Sequence, residues 1–413
     1  MGFPRPPTKQ RRKNMNNNGL LLKTLSILNF SLLATLLLLS HAEAMKYKTT
    51  QITDNNYYDG DPQINKQGQI VWIAVHENYN PTYSVYYELF LWDKGKLKCI
   101  ATNICSNGNL ISFDLNDNGQ IVWFQYNESK SKLQIYLYSD GNINNISNNN
   151  YDNINPRINN NGQVVWSLYD GSKYNVRLYD KGNISLIQIN SPGPQRDLQI
   201  NGKGHIVWLD PTVIPNYGVV YQVHLYKENI DSLITNNMFD KAYLRINNNG
   251  KVVWSMRDGP PLQDDDIYSY DSGITNKITY TGLQKINLQI NDNGQIVWDQ
   301  QPLSGVVNND IFVYDNGTIK QINKIWEDNN PRINNYGEIV WQGSDSEAYQ
   351  YDIFLNKNGI TKQITSDSIQ KMSPKINDNG HIVWEGGAGE NTEIYLAIPI
   401  PDISAINMLL MDD

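Results

Sequence analysis

A short pattern of polar and apolar positions recurs eight times along the chain. Each copy reads Asn-x-x-Gly-x-Ile/Val-Val-Trp, with no insertion between the Asn and the Trp. Successive tryptophans lie 42 to 51 residues apart, about the length of four short strands with their turns. This period is typical of one propeller blade, so the pattern predicts an all-β, eight-bladed β-propeller of four-stranded antiparallel blades. The eight tryptophans are Trp72, Trp123, Trp166, Trp208, Trp254, Trp298, Trp341 and Trp384.

The Asn and the Gly of each copy predict a type I turn between two strands. Asn at the first position closes onto the backbone, and Gly at the fourth position accepts a positive φ. The apolar triplet that follows requires burial on both faces, as in a sheet stacked between two others. The turn glycines are Gly68, Gly119, Gly162, Gly204, Gly250, Gly294, Gly337 and Gly380.

The remaining strands follow from the segments between the repeats. Residues 310–314 typify an alternating third strand, and residues 318–323 typify a more polar fourth strand that suits a blade edge. Residues 48–53 resemble a fourth strand, whereas the last repeat stops after its third strand near Ala397. The N-terminal strand is therefore expected to complete the last blade and close the ring.

The N-terminal segment differs from everything that follows it. Residues 1–44 combine a basic stretch, an apolar run and small residues at Ala42 and Ala44, which predicts a signal peptide cleaved before Met45. Translation from Met15 would explain its unusual length, and an uncleaved membrane anchor is the alternative. The sequence thus predicts an exported, periplasmic or extracellular protein with a propeller over residues 45–400 and a C-terminal tail over 401–413.

Composition narrows the possible partners. The formal net charge of −8 is spread along the chain, so no nucleic-acid partner is expected, and membrane contact is expected only if the leader stays uncleaved. A monomer is expected. Cys99 and Cys105 are the two cysteines, and their spacing allows a disulfide or two free thiols.

The repeats resemble the WD-like units of the TolB-type β-propeller family over residues 48–396. Pro62, Pro156, Pro331 and Pro374 before the turn, the turn glycines and the Ile-Tyr-like third strands carry the resemblance. This chain has Asn-x-x-Gly where TolB has Ser-Pro-Asp-Gly, and eight repeats where TolB has six. The resemblance implies the propeller fold and an exported, bacterial setting.

Candidate catalytic and metal-binding groups are few. His205 and His381 occupy a position that elsewhere holds Gln, Lys or Glu, and are interpreted as solvated strand residues. Asp114 begins a segment similar to a calcium loop, but the same column holds cations in other repeats. No catalytic residue, metal or cofactor is therefore predicted.

The column that contains Asp114 gives the first binding hypothesis. The TolB-type resemblance implies that this column lies on the innermost strand of each blade, so its cations are expected to line the central channel and bind an anionic ligand. These cations are Arg157, Arg245, Arg332 and Lys375. The alternative is that these cations pair with acids between the blades, such as Asp266, Asp310, Asp352 and Glu393.

The variable segments after the tryptophans give the second binding hypothesis. Rim aromatics suit stacking on sugars or anchoring a protein, unless they pack against the blade; the candidates are His76, Tyr79, Tyr83, Tyr86 and Tyr217. The resulting expectation is a non-catalytic protein-binding scaffold and not an enzyme, with a glycan-binding lectin or a propeller lyase or hydrolase as alternatives. The partner is expected to be a protein or a glycan.

Overall fold

The computed structural model describes residue 2 and residues 46–78, 84–102, 104, 112–216, 218–258, 265–281, 283–301, 309–323, 327–344, 350–388 and 391–401. Residues 47–399 form one compact unit; the other unit comprises residues 1–46 and 400–413, of which residues 2, 46, 400 and 401 are described. The predicted signal peptide and nearly all of the predicted tail thus lie outside the described residues. No helix among the described residues is long and apolar enough to cross a membrane.

The described chain contains 32 strands. The first half holds β1 (Lys46–Gln51), β2 (Tyr58–Ile64), β3 (Ile70–Asn78), β4 (Ser84–Asp93), β5 (Lys96–Ala101), β6 (Phe113–Leu115), β7 (Ile121–Asn127), β8 (Lys132–Ser139), β9 (Asn142–Asn145), β10 (Asp152–Ile158), β11 (Val164–Tyr169), β12 (Tyr174–Asp180), β13 (Asn183–Ser191), β14 (Arg196–Ile200), β15 (Ile206–Ile214) and β16 (Gly218–Lys227). The second half holds β17 (Ile230–Leu233), β18 (Lys241–Ile246), β19 (Val252–Arg257), β20 (Asp265–Asp271), β21 (Ile274–Lys277), β22 (Lys285–Ile290), β23 (Ile296–Gln300), β24 (Asp310–Asp315), β25 (Thr318–Gln321), β26 (Glu327–Ile333), β27 (Ile339–Ser344), β28 (Asp352–Lys357), β29 (Ile360–Gln363), β30 (Lys371–Ile376), β31 (Ile382–Ala388) and β32 (Asn391–Ile400).

These strands form eight four-stranded sheets, which confirms the predicted propeller. Blades 1 to 7 take four consecutive strands each, from β2–β5 to β26–β29, whereas blade 8 has the order β1-β32-β31-β30. The N-terminal strand therefore completes the last blade, as the sequence predicted.

The same hydrogen bond to a threonine hydroxyl occurs at the ring closure and within blade 7. The Thr53 hydroxyl accepts a hydrogen bond from the Ile394 backbone N–H at 2.9 Å, and Thr365 accepts one from Ile353 at 3.0 Å. Because Thr53 does for blade 8 what Thr365 does for blade 7, the closing strand is a true fourth strand.

The apolar triplets form the core between neighbouring sheets. All eight repeat tryptophans are at most 1 % exposed. Each blade except the third stacks its tryptophan on an aromatic ring or His224 from its third strand, with centroids 5.2 to 6.1 Å apart. In blade 3, Arg177 is paired opposite Trp166. Seven of the eight blades thus contribute a pair of stacked rings to the packing between blades.

The turn asparagines link the blades into a closed ring. Each side-chain carbonyl accepts the backbone N–H four residues later, and each side-chain amide donates to the backbone carbonyl of the corresponding Asn in the next blade at 2.8 to 3.1 Å. Asn377 returns to Asn65, so the eighth bond joins the last blade to the first. One repeated residue therefore shapes the turn and sets the contact between blades.

The turn glycines are required for two reasons. Their φ angles lie between 74° and 94°, and the side chain that follows the Gly of the preceding blade covers each one. His205 covers Gly250 and His381 covers Gly68 in this way. Both histidines are half-buried and therefore only partly solvated, and desolvation lowers the pKa of each.

Candidate functional site

The first strand of each blade carries one position of the alignment column that contains Asp114 and the four predicted cations; this column is called the basic column. Most of these strands contain a bulge just before that position. The bulged residue lies two positions before the column and has a positive φ in every blade except the second. The bulge residues with positive φ are Asp61, Asn155, Asp197, Tyr243, Asn287, Asn330 and Ser373. Because the bulge changes the strand register by one residue, it redirects the side chains that follow it.

The four cations of the column act on one another across the central channel. Desolvation lowers the pKa of Arg245 in blade 5, the charge of Asp197 opposes this shift, and the positive charge of Arg157 in blade 3 adds to it. Arg332 is affected by Arg245 in the same way, and Lys375 by both Arg332 and Arg245. Since blades 3, 5 and 7 are not neighbours, these charges meet through the channel.

None of these four cations forms an ion pair within 4.0 Å in the described part of the chain. The arginines instead donate to the carbonyl of the residue that precedes each, as Arg332 does to Pro331 at 2.8 Å. Arg157 also donates to the Ser112 hydroxyl at 2.8 Å. Their remaining donors are available to a ligand in the channel.

The acids proposed as alternative partners of these cations are engaged elsewhere. Asp266 pairs with Lys277 at 2.9 Å and with the buried Lys285 at 3.1 Å. Asp352 lies 3.4 Å from the buried Lys371. Glu393 accepts a hydrogen bond from the Asn55 backbone at 2.9 Å. The alternative of interblade pairing is therefore wrong for these three acids, because other groups neutralise or bind them.

Desolvation and like charge set the electrostatics of the channel. Both lower the pKa of Arg332 to about 10 and the pKa of Lys375 to about 8. Asp61 and Glu385 oppose the shift at Lys375, but neither pairs with it within 4.0 Å among the described residues. A negatively charged ligand would relieve this repulsion.

A polar sector that the sequence analysis missed lies beside the channel in blades 6 to 8. The residue after the repeat Trp is Asp299, Gln342 and Glu385 in these blades, but aliphatic, aromatic or serine in the others. Gln342 and Glu385 accept the backbone N–H of the bulge residue in the next blade at 2.9 and 2.8 Å. The change of residue type at this position was the available signal.

Two of these acids carry further contacts. Glu385 also accepts a hydrogen bond from the Tyr58 hydroxyl at 3.1 Å. Asp299 is fully buried, and desolvation raises its pKa to about 6 against the opposing hydrogen bonds of Asn287 and Asn330 and the charge of Arg332. The sector therefore places the carboxyl groups of Asp299 and Glu385 near the channel cations Arg332 and Lys375.

The rim of blade 1 holds a separate aromatic group. His76, at the end of β3, lies 2.9 Å from Glu88 on β4. The His76 ring stacks on Tyr86 with centroids 4.7 Å apart and lies 4.1 Å from Tyr57, which the sequence analysis did not single out. His76 and Tyr86 are thus packed strand residues.

Other predicted residues lie outside the described part of the chain, namely Tyr79, Tyr83, Tyr217 and Cys105. Cys99 is exposed on β5. The described residues contain no group of three or more His, Cys, Asp or Glu side chains arranged to hold a metal ion.

Solved structures with a similar fold include propellers of proteolytic enzymes. The β-propeller domain of the Trilobed protease from Pyrococcus furiosus is 14% identical, with a TM-score of 0.50 over 76% of this chain and 97% of that chain. Dipeptidyl peptidase 4 from Porphyromonas gingivalis is 11% identical, with a TM-score of 0.56 over 79% of this chain and 59% of that chain. A puromycin-hydrolyzing peptidase from Mycobacterium tuberculosis is 8% identical, with a TM-score of 0.52 over 80% of this chain and 57% of that chain.

No protein-family model and no curated protein matches the chain. At such low identity the structural likeness shows the propeller fold, and this chain spans less than two thirds of the two peptidases. The expectation of a non-catalytic scaffold that is not an enzyme is contradicted, because these similar propellers belong to peptidases. The likeness supports the propeller fold and does not confirm the TolB-type family.

Proposed function

We propose that the chain is a hydrolase-related propeller that binds a carboxylate-bearing ligand in its central channel. One observation carries this proposal: Arg157, Arg245, Arg332 and Lys375 converge on the channel, and the described residues supply none of them with an ion pair. The peptidase propellers of similar fold make an acidic peptide the natural class of carboxylate.

The chemistry of the arginines favours a carboxylate. A guanidinium presents donors in a planar fork that matches the two oxygens of a carboxylate. Arg245 and Arg332 each direct Nη1 at a carbonyl of their own strand, which fixes the side chain and lowers the entropy lost when a ligand binds. The net positive charge of the column also attracts anions into the channel.

Calorimetric titration with citrate and with an acidic tripeptide tests this proposal. Arg245→Gln/Arg332→Gln should bind citrate at least about tenfold more weakly, because each lost charged hydrogen bond is worth about 1.5 to 3 kcal/mol. Its melting temperature should not fall, since the substitutions remove like charges that repel one another. The matched control is Arg196→Gln/Arg257→Gln, which removes two exposed arginines outside the column.

Two results would contradict the proposal. Citrate affinity that is equal in the channel variant and the control variant would show that the channel does not hold the anion. A large loss of stability in the channel variant would show that the arginines serve the fold. Titration with inorganic phosphate separates a carboxylate site from a general anion site.

We also propose that the chain is exported as a monomer, with cleavage before Met45 and a setting like that implied by the TolB-type resemblance. The small residues at Ala42 and Ala44 support this proposal. N-terminal sequencing of the protein recovered from the producing cells tests it: a mature chain that begins at Met45 is expected, and an intact leader in the membrane fraction would overturn it.

A further inference from the structure

The residue after the turn glycine makes a recurring contact with the end of the third strand of its own blade. In blades 1, 2, 3 and 6 this residue is a glutamine, and its amide donates to a side-chain oxygen at that strand end at 3.0 to 3.3 Å. In blade 7 the two positions hold Glu338 and Lys357, whose charged atoms lie 2.6 Å apart. The contact is thus kept even where the residue types change.

Blade 5 departs from this pattern. Lys251 and Asp271 occupy the two positions, but they form no ion pair within 4.0 Å in the part of the chain that the structure describes. The Lys251 ammonium lies instead 5.6 Å from the centroid of the Tyr314 ring in blade 6. The Asp271 carboxylate accepts a hydrogen bond from the hydroxyl of the adjacent Ser272 at 2.9 Å. Two opposite charges at corresponding positions are therefore held apart.

A cavity lies between blades 5 and 6 at the place where this contact is missing. Its volume is about 390 Å³. Small-molecule sites commonly measure about 300 to 1,000 Å³, so the space is large enough for a small metabolite. Lys251 and Asp271 both line it. Neutral polar groups and apolar surface complete the lining, from Ser269, Asn276, Ile278 and Tyr314.

The charges around the cavity favour a ligand with no net charge. Lys277 also lines the cavity, but its ammonium lies 2.8 Å from Asp258 and 2.9 Å from Asp266. Asp266 in turn lies 3.1 Å from Lys285, so these two lysines and two acids balance one another. The lining thus offers a ligand one positive and one negative group. A ligand complementary to both carries a carboxylate and an ammonium group.

We infer that this cavity binds a free α-amino acid, with its carboxylate at Lys251 and its ammonium group at Asp271. Asn276 supplies a further hydrogen-bonding group, and Tyr314 and Ile278 supply apolar surface for the ligand side chain. A simple carboxylic acid or a simple amine would satisfy only one of the two charges. The site lies outside the central channel, so the inference goes beyond the proposed function and does not depend on it.

Saturation-transfer NMR on the full chain tests the inference with L-leucine as the probe. The matched ligands are leucinamide, which lacks the carboxylate, and 4-methylpentanoate, which lacks the amine. Leucine should bind about tenfold or more tightly than either, because each analogue loses one hydrogen bond between charged groups.

Variants of the two charged residues locate the site. Lys251→Gln gives blade 5 the glutamine and aspartate of blades 1, 3 and 6, so it should close the contact, abolish the preference for leucine and leave the melting temperature unchanged or higher. Asp271→Asn should abolish the same preference, since it removes the negative charge alone. Lys320→Gln, which changes an exposed lysine that does not line the cavity, should bind leucine like the wild type.

Three results would overturn the inference. Leucine that binds no more tightly than leucinamide or 4-methylpentanoate would show that the two charges do not act together. Leucine binding that is unchanged in both Lys251→Gln and Asp271→Asn would place the ligand elsewhere. Glucose that binds more tightly than leucine, and only with Lys251 and Asp271 intact, would show a sugar site instead. Arg245→Gln/Arg332→Gln should retain leucine binding whether or not it still binds citrate, so the two proposals fail separately.

Discussion

Asp299 should limit the stability of the propeller at neutral pH. Its carboxyl group is fully buried in blade 6, and desolvation raises its pKa to about 6 from an ordinary value of 3.8. A carboxyl with a raised folded-state pKa favours the native state below the unfolded pKa, and this contribution is lost as the pH rises through the folded pKa. The cost of ionising Asp299 should therefore develop between about pH 4 and pH 6.

The size of this effect follows from the shift. The rise of the Asp299 pKa from 3.8 to about 6 corresponds to a loss of about 3 kcal/mol in the free energy of unfolding above pH 6. Asp299→Asn removes that cost. Asn keeps an acceptor for the Asn287 side-chain amide, which donates to Asp299 at 3.1 Å. Its new amide donor replaces Oδ1, which has no hydrogen-bond partner among the described residues, so about 1 to 2 kcal/mol is lost again. The net expectation is a stabilisation of about 1 to 2 kcal/mol.

Urea unfolding at pH 7.5 and pH 4 measures this prediction. Asp299→Asn should be more stable than the wild type at the higher pH and less stable at the lower pH, where the cost of ionisation is nearly absent and the unpaired amide donor still costs about 1 to 2 kcal/mol. The control is Asp271→Asn, an exposed acid that should change stability by less than about 0.5 kcal/mol. Equal stability differences at both pH values would refute the assignment of a raised pKa to Asp299.

The repeated contacts give three further predictions, each measured by urea unfolding. Asn201→Ala removes two backbone bonds within its turn and one bond of 2.9 Å to the next blade, and should cost about 2 to 4 kcal/mol. Trp384→Ala should cost about 3 to 5 kcal/mol, because it empties a site that is 1 % exposed. Thr53→Val and Thr365→Val each leave a buried N–H without an acceptor, so both should cost about 1 to 3 kcal/mol. A negligible effect of Thr53→Val alone would show that this hydrogen bond does not stabilise the ring closure.

The fold could be predicted because one signal is repeated eight times. The tryptophan spacing fixed the blade number, and the polar strand at residues 48–53 indicated the closure that β1 makes. The bonds between turn asparagines could not be predicted, since Asn at a turn already has a local role. Only the arrangement of neighbouring blades shows that the side-chain amide remains free to reach the next blade.

The candidate site was less accessible to sequence reasoning. The basic column was visible as an alignment position, but its freedom from ion pairs depends on lysines elsewhere. Lys285 and Lys371 look like surface residues in the sequence, yet both are buried against Asp266 and Asp352. A lysine at the start of a strand gives no signal of burial, because the pairing acid lies on the third strand of the preceding blade.

The distribution of charge between blades and channel argues for a role of the channel beyond the fold. The propeller has three sets of contacts that hold its blades together: stacked tryptophans, the asparagine ring, and buried lysines paired with acids. None of these involves Arg245, Arg332 or Lys375, whose pKa values are lowered chiefly by desolvation, with a further contribution from neighbouring positive charge. Groups that destabilise a fold and lie together in one water-accessible channel are best explained by a ligand that neutralises them.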